Sequence, residues 1–182
     1  MKDLKNTALL VMDLQQGIID RLDNKDEYLE KVKNTISVAH ENNIPVIFVV
    51  VGFREGFPEI STNNKAFNTI KENLSNTMIN PTPVIELTNK DLLVTKHRFS
   101  AFSGSDLEIL LRSGNITHLV LAGISTSGVV LSTTREAADK DFKITILSDL
   151  CYDFDKDVHT ILINKVFPRQ ANVITSEEWK LS

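Results

Sequence analysis

The sequence predicts an α/β fold in which a parallel sheet carries helices on both faces. Short apolar runs alternate with amphipathic stretches almost from end to end, in six or so successive pairs. This alternation is typical of parallel strands that are buried on both faces. The chain has 182 residues, enough for one core, and no internal repeat or linker divides it. We therefore expect a single domain over residues 1–182.

Each element is predicted from its apolar spacing. Strands are expected where apolar residues run without interruption, and helices where they recur every three or four positions. The predicted strands are 8–12, 44–51, 92–95, 118–122, 143–147 and 171–175. The predicted helices are 26–43, 66–74, 105–112, 126–140 and 157–166, and Ser105 with Glu108 has the spacing of a capping box. Most of 52–87 is predicted as loop, and long loops often cover substrate sites.

Composition argues against several classes of protein. The net charge is −4 and the basic residues are scattered, so no nucleic-acid surface is predicted. No apolar run approaches the roughly 20 residues of a membrane-spanning helix, and the N-terminal residues lack a signal-peptide pattern. The single cysteine and four dispersed histidines give no metal-ligand spacing. We expect a cytoplasmic protein that binds a small molecule without a metal ion or cofactor.

Charged residues that follow the apolar runs are the first candidates for a site, because ligands of such sheets bind beyond the carboxyl ends of the strands. Asp13 follows the first strand, where burial would raise its pKa and suit it to proton transfer; an exposed acid in a turn is the alternative. Lys96 follows the third strand and would pair with Asp13 and stabilise an oxyanion, unless it is a surface lysine. Arg98 would anchor a substrate carboxylate, or else be solvated.

Three further features lie near predicted strand ends. The turn 123–128 offers backbone N–H groups for an anion or oxyanion, although Thr126 or Ser127 can equally serve as an N-cap. Cys151 follows the fifth strand, but a lone cysteine is more often a small buried apolar residue than a nucleophile. Four aromatic residues would line an apolar pocket or belong to the core: Phe53, Phe57, Phe99 and Phe102.

Taken in order, these segments resemble the isochorismatase-like (cysteine hydrolase) superfamily. Leu9-Leu-Val-Met-Asp-Leu-Gln15 is similar to the family's apolar run ending in Asp-x-Gln, and Lys96 with Ser100-Ala-Phe-Ser-Gly-Ser-Asp-Leu107 resembles its second motif. Gly123-Ile-Ser-Thr126 matches the family's Gly-x-x-Thr turn, and Ser132-Thr-Thr-Arg-Glu-Ala-Ala-Asp139 its following helix. The resemblance spans nearly the whole chain.

The resemblance implies a three-layer α-β-α sandwich around a six-stranded, mostly parallel sheet, assembled as a homodimer or larger homo-oligomer. Asp13 and Lys96 would be two members of the family's Asp-Lys-Cys triad. The Ile124–Ser125 peptide would match a cis bond that shapes the oxyanion hole, so that the pocket consists of Ile124, Ser125, Thr126 and Val129. Further candidates for substrate binding are Gln15, Phe53, Arg98 and Ser127.

The sequence departs from the family at the third member of the triad. Counting three residues from Thr126 gives Val129, which cannot attack a carbonyl. The aspartate and histidines that bind metal in nicotinamidases are also missing from 52–57, so nicotinamidase activity is not expected.

Three interpretations follow from the missing cysteine. The chain is a non-covalent acid/base hydrolase of a small carboxylate-bearing vinyl ether or amide-like substrate, as isochorismatases without the cysteine are thought to be. Alternatively, it is a hydrolase with a displaced nucleophile, namely Cys151, Ser125, Thr126 or Ser127. In the third interpretation it is an inactive module that binds a small ligand.

Overall fold

A computed structural model describes residues 6–181, and its centre is one six-stranded sheet. The strands are β1 (Thr7–Met12), β2 (Val46–Val51), β3 (Leu92–Lys96), β4 (His118–Ile124), β5 (Lys143–Tyr152) and β6 (Asn172–Ile174). All five pairings are parallel, and the order across the sheet is β3-β2-β1-β4-β5-β6. This arrangement confirms the predicted α/β class.

Seven α-helices and four short turns of 3-10 or π helix connect the strands in the described part of the chain. The helices are α1 (Gln16–Ile19), α2 (Lys25–Glu41), α3 (Lys65–Leu74), α4 (Leu107–Ser113), α5 (Leu131–Asp139), α6 (Lys156–Ile161) and α7 (Ser176–Leu181). The short turns are Ser75–Met78, Thr126–Val130, Leu162–Val166 and Phe167–Arg169. No helix within residues 6–181 has the length and apolar character needed to cross a membrane.

Two apolar layers cover the two faces of the sheet, because successive residues of a strand point to opposite faces. Leu10 and Met12 of β1 belong to one buried cluster, which includes residues of α4 and α5. Leu9 and Val11 belong to the other, which includes residues of α2 and α7. Every residue of β1, β2 and nearly all of β4 is buried, as the uninterrupted apolar runs predicted.

The segment after β2 is more ordered than the sequence indicates. It contains α3 and the turn Ser75–Met78, and it contributes to a third apolar cluster at the carboxyl edge of the sheet. The members of that cluster are Val51, Phe53, Phe57, Phe67 and Met78. This segment therefore forms a wall beside the strand ends.

The predicted capping box of α4 does not form. Ser105 Oγ donates to the carbonyl of Ala101 at 2.6 Å, and it accepts only a long 3.3 Å bond from the N–H of Leu107. Glu108 instead binds Lys140 Nζ at 2.7 Å, next to α5. An ion pair between elements that are distant in sequence has therefore replaced the local bond.

Candidate active site

The candidate site lies where the strand order reverses. From β1 the chain continues to β2 and β3 on one side, and from β4 to β5 and β6 on the other, so a crevice opens at the carboxyl ends of β1 and β4. Gly123 lets these two strands approach closely, because a Cβ at this position would lie 2.4 Å from the carbonyl oxygen of Met12. The residues that follow β1 and β4 thus meet at one rim.

Asp13 and Lys96 form a buried ion pair at this rim. Lys96 Nζ lies 3.0 Å from Asp13 Oδ2 and donates to the carbonyl of Arg98 at 2.8 Å. Asp13 is 6% exposed and Lys96 only 1%. Asp13 has a φ of +61°, and its N–H donates to Val49 O at 2.8 Å, so the backbone turns out of the strand just where the carboxylate begins.

Lysine is well suited to this contact because of the distance that it must span. β3 and β1 are separated by β2, and two strand spacings amount to about 10 Å. The aspartate side chain is short, so most of the gap is bridged by the four-carbon stem of the lysine. The stem is buried beside Val51, the register partner of Lys96 on β2.

The carboxyl group of Asp13 has one oxygen that is not engaged. Oδ1 is buried and has no hydrogen-bond partner among the described residues, whereas Oδ2 faces Lys96. Burial raises the pKa of Asp13, and the charge and hydrogen bond of Lys96 lower it in part. A carboxyl group in this environment can hold a proton on Oδ1 and release it when a basic atom approaches.

The turn after β4 supplies the opposite wall of the crevice. The Ile124–Ser125 peptide bond is cis, and the chain then forms the π-helical turn Thr126–Val130. Ser125 caps this turn, since its Oγ accepts the N–H of Gly128 at 3.1 Å. The cap is therefore Ser125 and neither Thr126 nor Ser127.

Thr126 and Ser127 hold the turn against the loop after β5. Thr126 Oγ1 and His159 Nδ1 are 2.8 Å apart, and the N–H of Ser127 donates to Asp153 Oδ2 at 2.7 Å. Burial lowers the pKa of His159, which favours a neutral imidazole that can accept the threonine hydroxyl proton. The Thr126 side chain is fully buried, so its hydroxyl braces the turn and does not face a ligand.

A cavity of about 170 Å³ lies between these groups. Its polar floor contains Asp13, Lys96 and Ser125, and Val129 faces the same space. The remaining lining is mostly apolar and comprises Ile18, Val51, Phe67, Ile70, Met78, Phe99, Ile124, Gly128 and Phe154, together with Arg21. Sites for drug-sized ligands usually occupy roughly 300–1,000 Å³, so this cavity suits a small metabolite.

Several residues singled out from the sequence lie outside the cavity. Gln15 is one of them, because its amide bonds to both the N–H and the carbonyl of Val51, at 2.8 and 3.0 Å. These two hydrogen bonds connect the end of β1 to the end of β2, in addition to the backbone hydrogen bonds of the sheet. The structure therefore places Gln15 outside the cavity, where its amide serves a structural role.

Arg98 and Phe53 are likewise engaged within the protein. Arg98 donates to the carbonyl oxygens of His97 and Glu59, and it does not line the cavity. Phe53 is 4% exposed and packs edge-on against Phe67 in the third apolar cluster. Of the four phenylalanines proposed for the pocket, only Phe99 lines it, whereas Phe57 and Phe102 join Phe53 as core residues.

Cys151 lies inside β5 and not after it. The strand continues to Tyr152, and Cys151 is the register partner of Gly123 on β4. The thiol is 5% exposed, and burial raises its pKa to about 12. It does not line the cavity, so neither position nor ionisation supports a nucleophilic role.

Arg21 and Phe154 are among the cavity residues that the sequence did not indicate. Arg21 follows the short helix α1, and Phe154 follows β5; their side chains stack, with the guanidinium carbon 3.8 Å from the ring centre. Neither residue belongs to an apolar periodicity or to a motif of the resemblance. Within residues 6–181, no three His, Cys, Asp or Glu side chains are grouped as metal ligands.

Comparisons with known proteins agree with this architecture. The family model of the isochorismatase domain matches residues 7–178 of this sequence. The isochorismatase family protein YecD of Escherichia coli O157:H7 is 31% identical over 96% of this chain and 94% of its own length, and YwoC of Bacillus subtilis (strain 168) is 30% identical over 97% and 94%.

A solved structure gives the same result for the fold. An isochorismatase family protein from Burkholderia thailandensis superposes with a TM-score of 0.80 at 25% identity, covering 100% of this chain and 96% of that one. The resemblance drawn from the motifs is thereby confirmed. This chain belongs to the isochorismatase family.

Proposed function

We propose that this protein hydrolyses a small carboxylate-bearing vinyl ether by acid/base catalysis, without a covalent intermediate. The observation that carries the proposal is the free oxygen of Asp13, which is buried beside the cavity while the other oxygen faces Lys96. An unpaired buried carboxyl oxygen is destabilising unless a ligand or a proton engages it. A group of this kind is suited to deliver a proton inside an apolar pocket.

The first step is protonation of carbon. The proton on Asp13 Oδ1 moves to the terminal carbon of the vinyl ether; an O–H bond breaks, a C–H bond forms, and the ether carbon becomes an oxocarbenium ion. Lys96, 3.0 Å from Oδ2, stabilises the carboxylate that remains. That carboxylate in turn stabilises the oxocarbenium ion through its negative charge.

Water completes the reaction. It adds to the oxocarbenium carbon and gives its proton to Asp13, which regenerates the acid. The resulting hemiketal collapses to a carbonyl compound and an alcohol, so that vinyl ether and water yield a ketone and an alcohol. The turn 124–129 forms the pocket for the hemiketal oxygen, and the hydroxyl of Ser125, which lines the cavity, is the donor.

An amide substrate is less well served by these residues. Val129 offers no nucleophile, and the hydroxyl of Ser125 accepts a hydrogen bond from Gly128 but has no basic partner among the described hydrogen bonds. A serine without a base to remove its proton is a weak nucleophile. Of the other candidates for a displaced nucleophile, Thr126 and Ser127 do not line the cavity, and Cys151 lies away from it with a pKa of about 12.

We also propose that the protein is cytoplasmic and forms a homo-oligomer, as the family resemblance implies. Light scattering after gel filtration measures the assembly directly, and a monomer at micromolar concentration would contradict this part of the proposal.

The central test uses 2-methoxyacrylate, a minimal vinyl ether with a carboxylate, and follows the release of pyruvate. Asp13→Asn keeps the size of the side chain and tolerates the positive φ, but it removes the acid. We expect turnover to fall by about 10²–10⁴-fold, the usual contribution of a general acid. Asp23→Asn, at an exposed position outside the cavity, is the matched control and should retain full activity.

The alternatives predict different results. Full activity in Asp13→Asn together with loss in Cys151→Ala would favour a displaced nucleophile. A wild-type protein that is inert toward vinyl ethers and amides, but is stabilised by a carboxylate ligand, would favour a binding module.

A further inference from the structure

Arg21 stands between two hollows. It lines the 170 Å³ cavity that contains the ion pair, and it also lines a wider hollow of about 330 Å³ formed with Thr69, Ile70 and Asn73 of α3. The backbone of Arg21 is anchored by its N–H bond to Ile18 O at 3.3 Å. The guanidinium is therefore placed where the inner cavity and the outer hollow meet.

The stack on Phe154 fixes the guanidinium by its face. The guanidinium carbon lies 3.8 Å from the ring centre, so the planar group is held while its N–H donors remain at the edge. No ion pair among residues 6–181 includes Arg21. The adjacent carboxylate, Asp20, is engaged by Gln16 and Lys25. An oriented arginine without a carboxylate partner is suited to receive one from a ligand.

The charges that line the inner cavity also favour a carboxylate ligand. Asp13 and Lys96 neutralise each other, and Arg21 is the third charged residue of the lining. The lining therefore has a net charge of +1, or more when Asp13 is protonated. Arg98, which the sequence suggested as the anchor, is engaged by backbone carbonyls instead. A small anion is the ligand that balances this charge.

We propose that Arg21, stacked on Phe154, binds the carboxylate of the substrate and thereby determines the specificity of the site for carboxylates. The part of the substrate beyond the carboxylate extends into the outer hollow, which is lined by Thr69, Ile70 and Asn73. A polar alcohol portion of the substrate suits this hollow. The assignment of a substrate rests on the proposed hydrolase function, but binding of a carboxylate is measured without turnover.

The test compares benzoate with benzamide, two planar probes of similar shape that differ in charge. Their dissociation constants are measured by titration calorimetry for the wild-type protein, Arg21→Gln and Arg21→Lys. We expect Arg21→Gln to weaken benzoate binding by about tenfold or more and to leave benzamide unchanged. Arg21→Lys retains the charge but not the planar fork, and should show a smaller loss. Arg169→Gln, an exposed arginine outside both hollows, is the matched control.

Two outcomes would overturn the assignment. One is benzoate binding in Arg21→Gln equal to that of the wild type; the other is a wild-type protein that does not prefer benzoate to benzamide. Phe154→Leu gives a second measure, since it removes the stacking surface and keeps the arginine; it should weaken benzoate by a smaller factor than Arg21→Gln. A protein that binds benzoate through Arg21 and yet hydrolyses no vinyl ether would refute the proposed function and leave this assignment intact.

Discussion

Replacing Lys96 with methionine should destabilise the protein strongly at alkaline pH and weakly at acid pH. Methionine fills most of the space of the lysine stem and removes only the charge and its hydrogen bonds. Asp13, 6% exposed, then loses the partner that lies 3.0 Å from its Oδ2. The magnitude depends on whether the aspartate must carry its charge.

At pH 8 the loss of one partner from a buried ion pair should cost about 3–5 kcal/mol. Without Lys96 the pKa of Asp13, already raised by burial, rises further, because both effects that lower it came from the lysine. A carboxyl group with a raised folded-state pKa loses stability as the pH rises from the unfolded value of 3.8 through the folded value. Near pH 4 only the hydrogen bonds of the ammonium group to Asp13 and to the Arg98 carbonyl are missing, each worth about 1 kcal/mol.

Urea denaturation of wild type and Lys96→Met at pH 4 and pH 8 measures this difference. At pH 8 the melting temperature should also fall by roughly 10 °C, given about 2–4 °C per kcal/mol for a chain of this size. Lys33→Met, at an exposed position of α2, is the control and should change little at either pH. The double variant Asp13→Asn/Lys96→Met should lose the pH dependence. Equal destabilisation at both pH values would show that Asp13 is not the group responsible.

Three further predictions concern the turn after β4 and the residues around it. Gly123→Ala should lower stability by about 2 kcal/mol or more in calorimetry, because its Cβ would approach the β1 backbone to 2.4 Å, whereas Gly114→Ala should be nearly neutral. Val129→Cys should be alkylated by iodoacetamide at residue 129, which lines the same cavity as Lys96, while Cys151 should stay unmodified; mass spectrometry distinguishes the two sites. Because burial lowers the pKa of His159, its contribution to stability is present above about pH 6.5, and the free energy of unfolding should decrease as the pH falls below that value. His159→Gln should reduce this pH dependence, as measured by denaturation at several pH values.

The parts of the fold that could be predicted are those in which local pattern and burial agree. β1 and β2 lie within a residue or two of the expected runs, because a strand buried on both faces must be apolar throughout. β5 continues five residues past its predicted end, through Ser148 and Asp149, since their polar side chains bind Ile174 O and Ser176. The hydrogen-bond partners of Ser148 and Asp149 are distant in sequence. A local pattern therefore does not show that the strand continues through these polar residues.

The residues of the candidate site also differ in whether the sequence could predict them. Asp13 and Lys96 were predictable because both follow apolar runs and parallel strands end at one rim. Arg98 occupies a similar position in the sequence, but its guanidinium turns to backbone carbonyls. Arg21 and Phe154 lie on loops whose meeting depends on the positions of α1 and β5, and no spacing rule connects them.

The position of Lys96 at the end of an edge strand has a consequence for the stability of the candidate site. Among the strands within residues 6–181, β3 is paired only with β2, and edge strands fray more readily than the strands at the centre of a sheet. Opening of the last residues of β3 would carry the ammonium group away from Asp13 while β1 and β4 stay folded. Amide hydrogen exchange at Thr95 and Lys96 should therefore report the fraction of molecules in which the ion pair is intact, and loss of the proposed activity on warming should precede global unfolding.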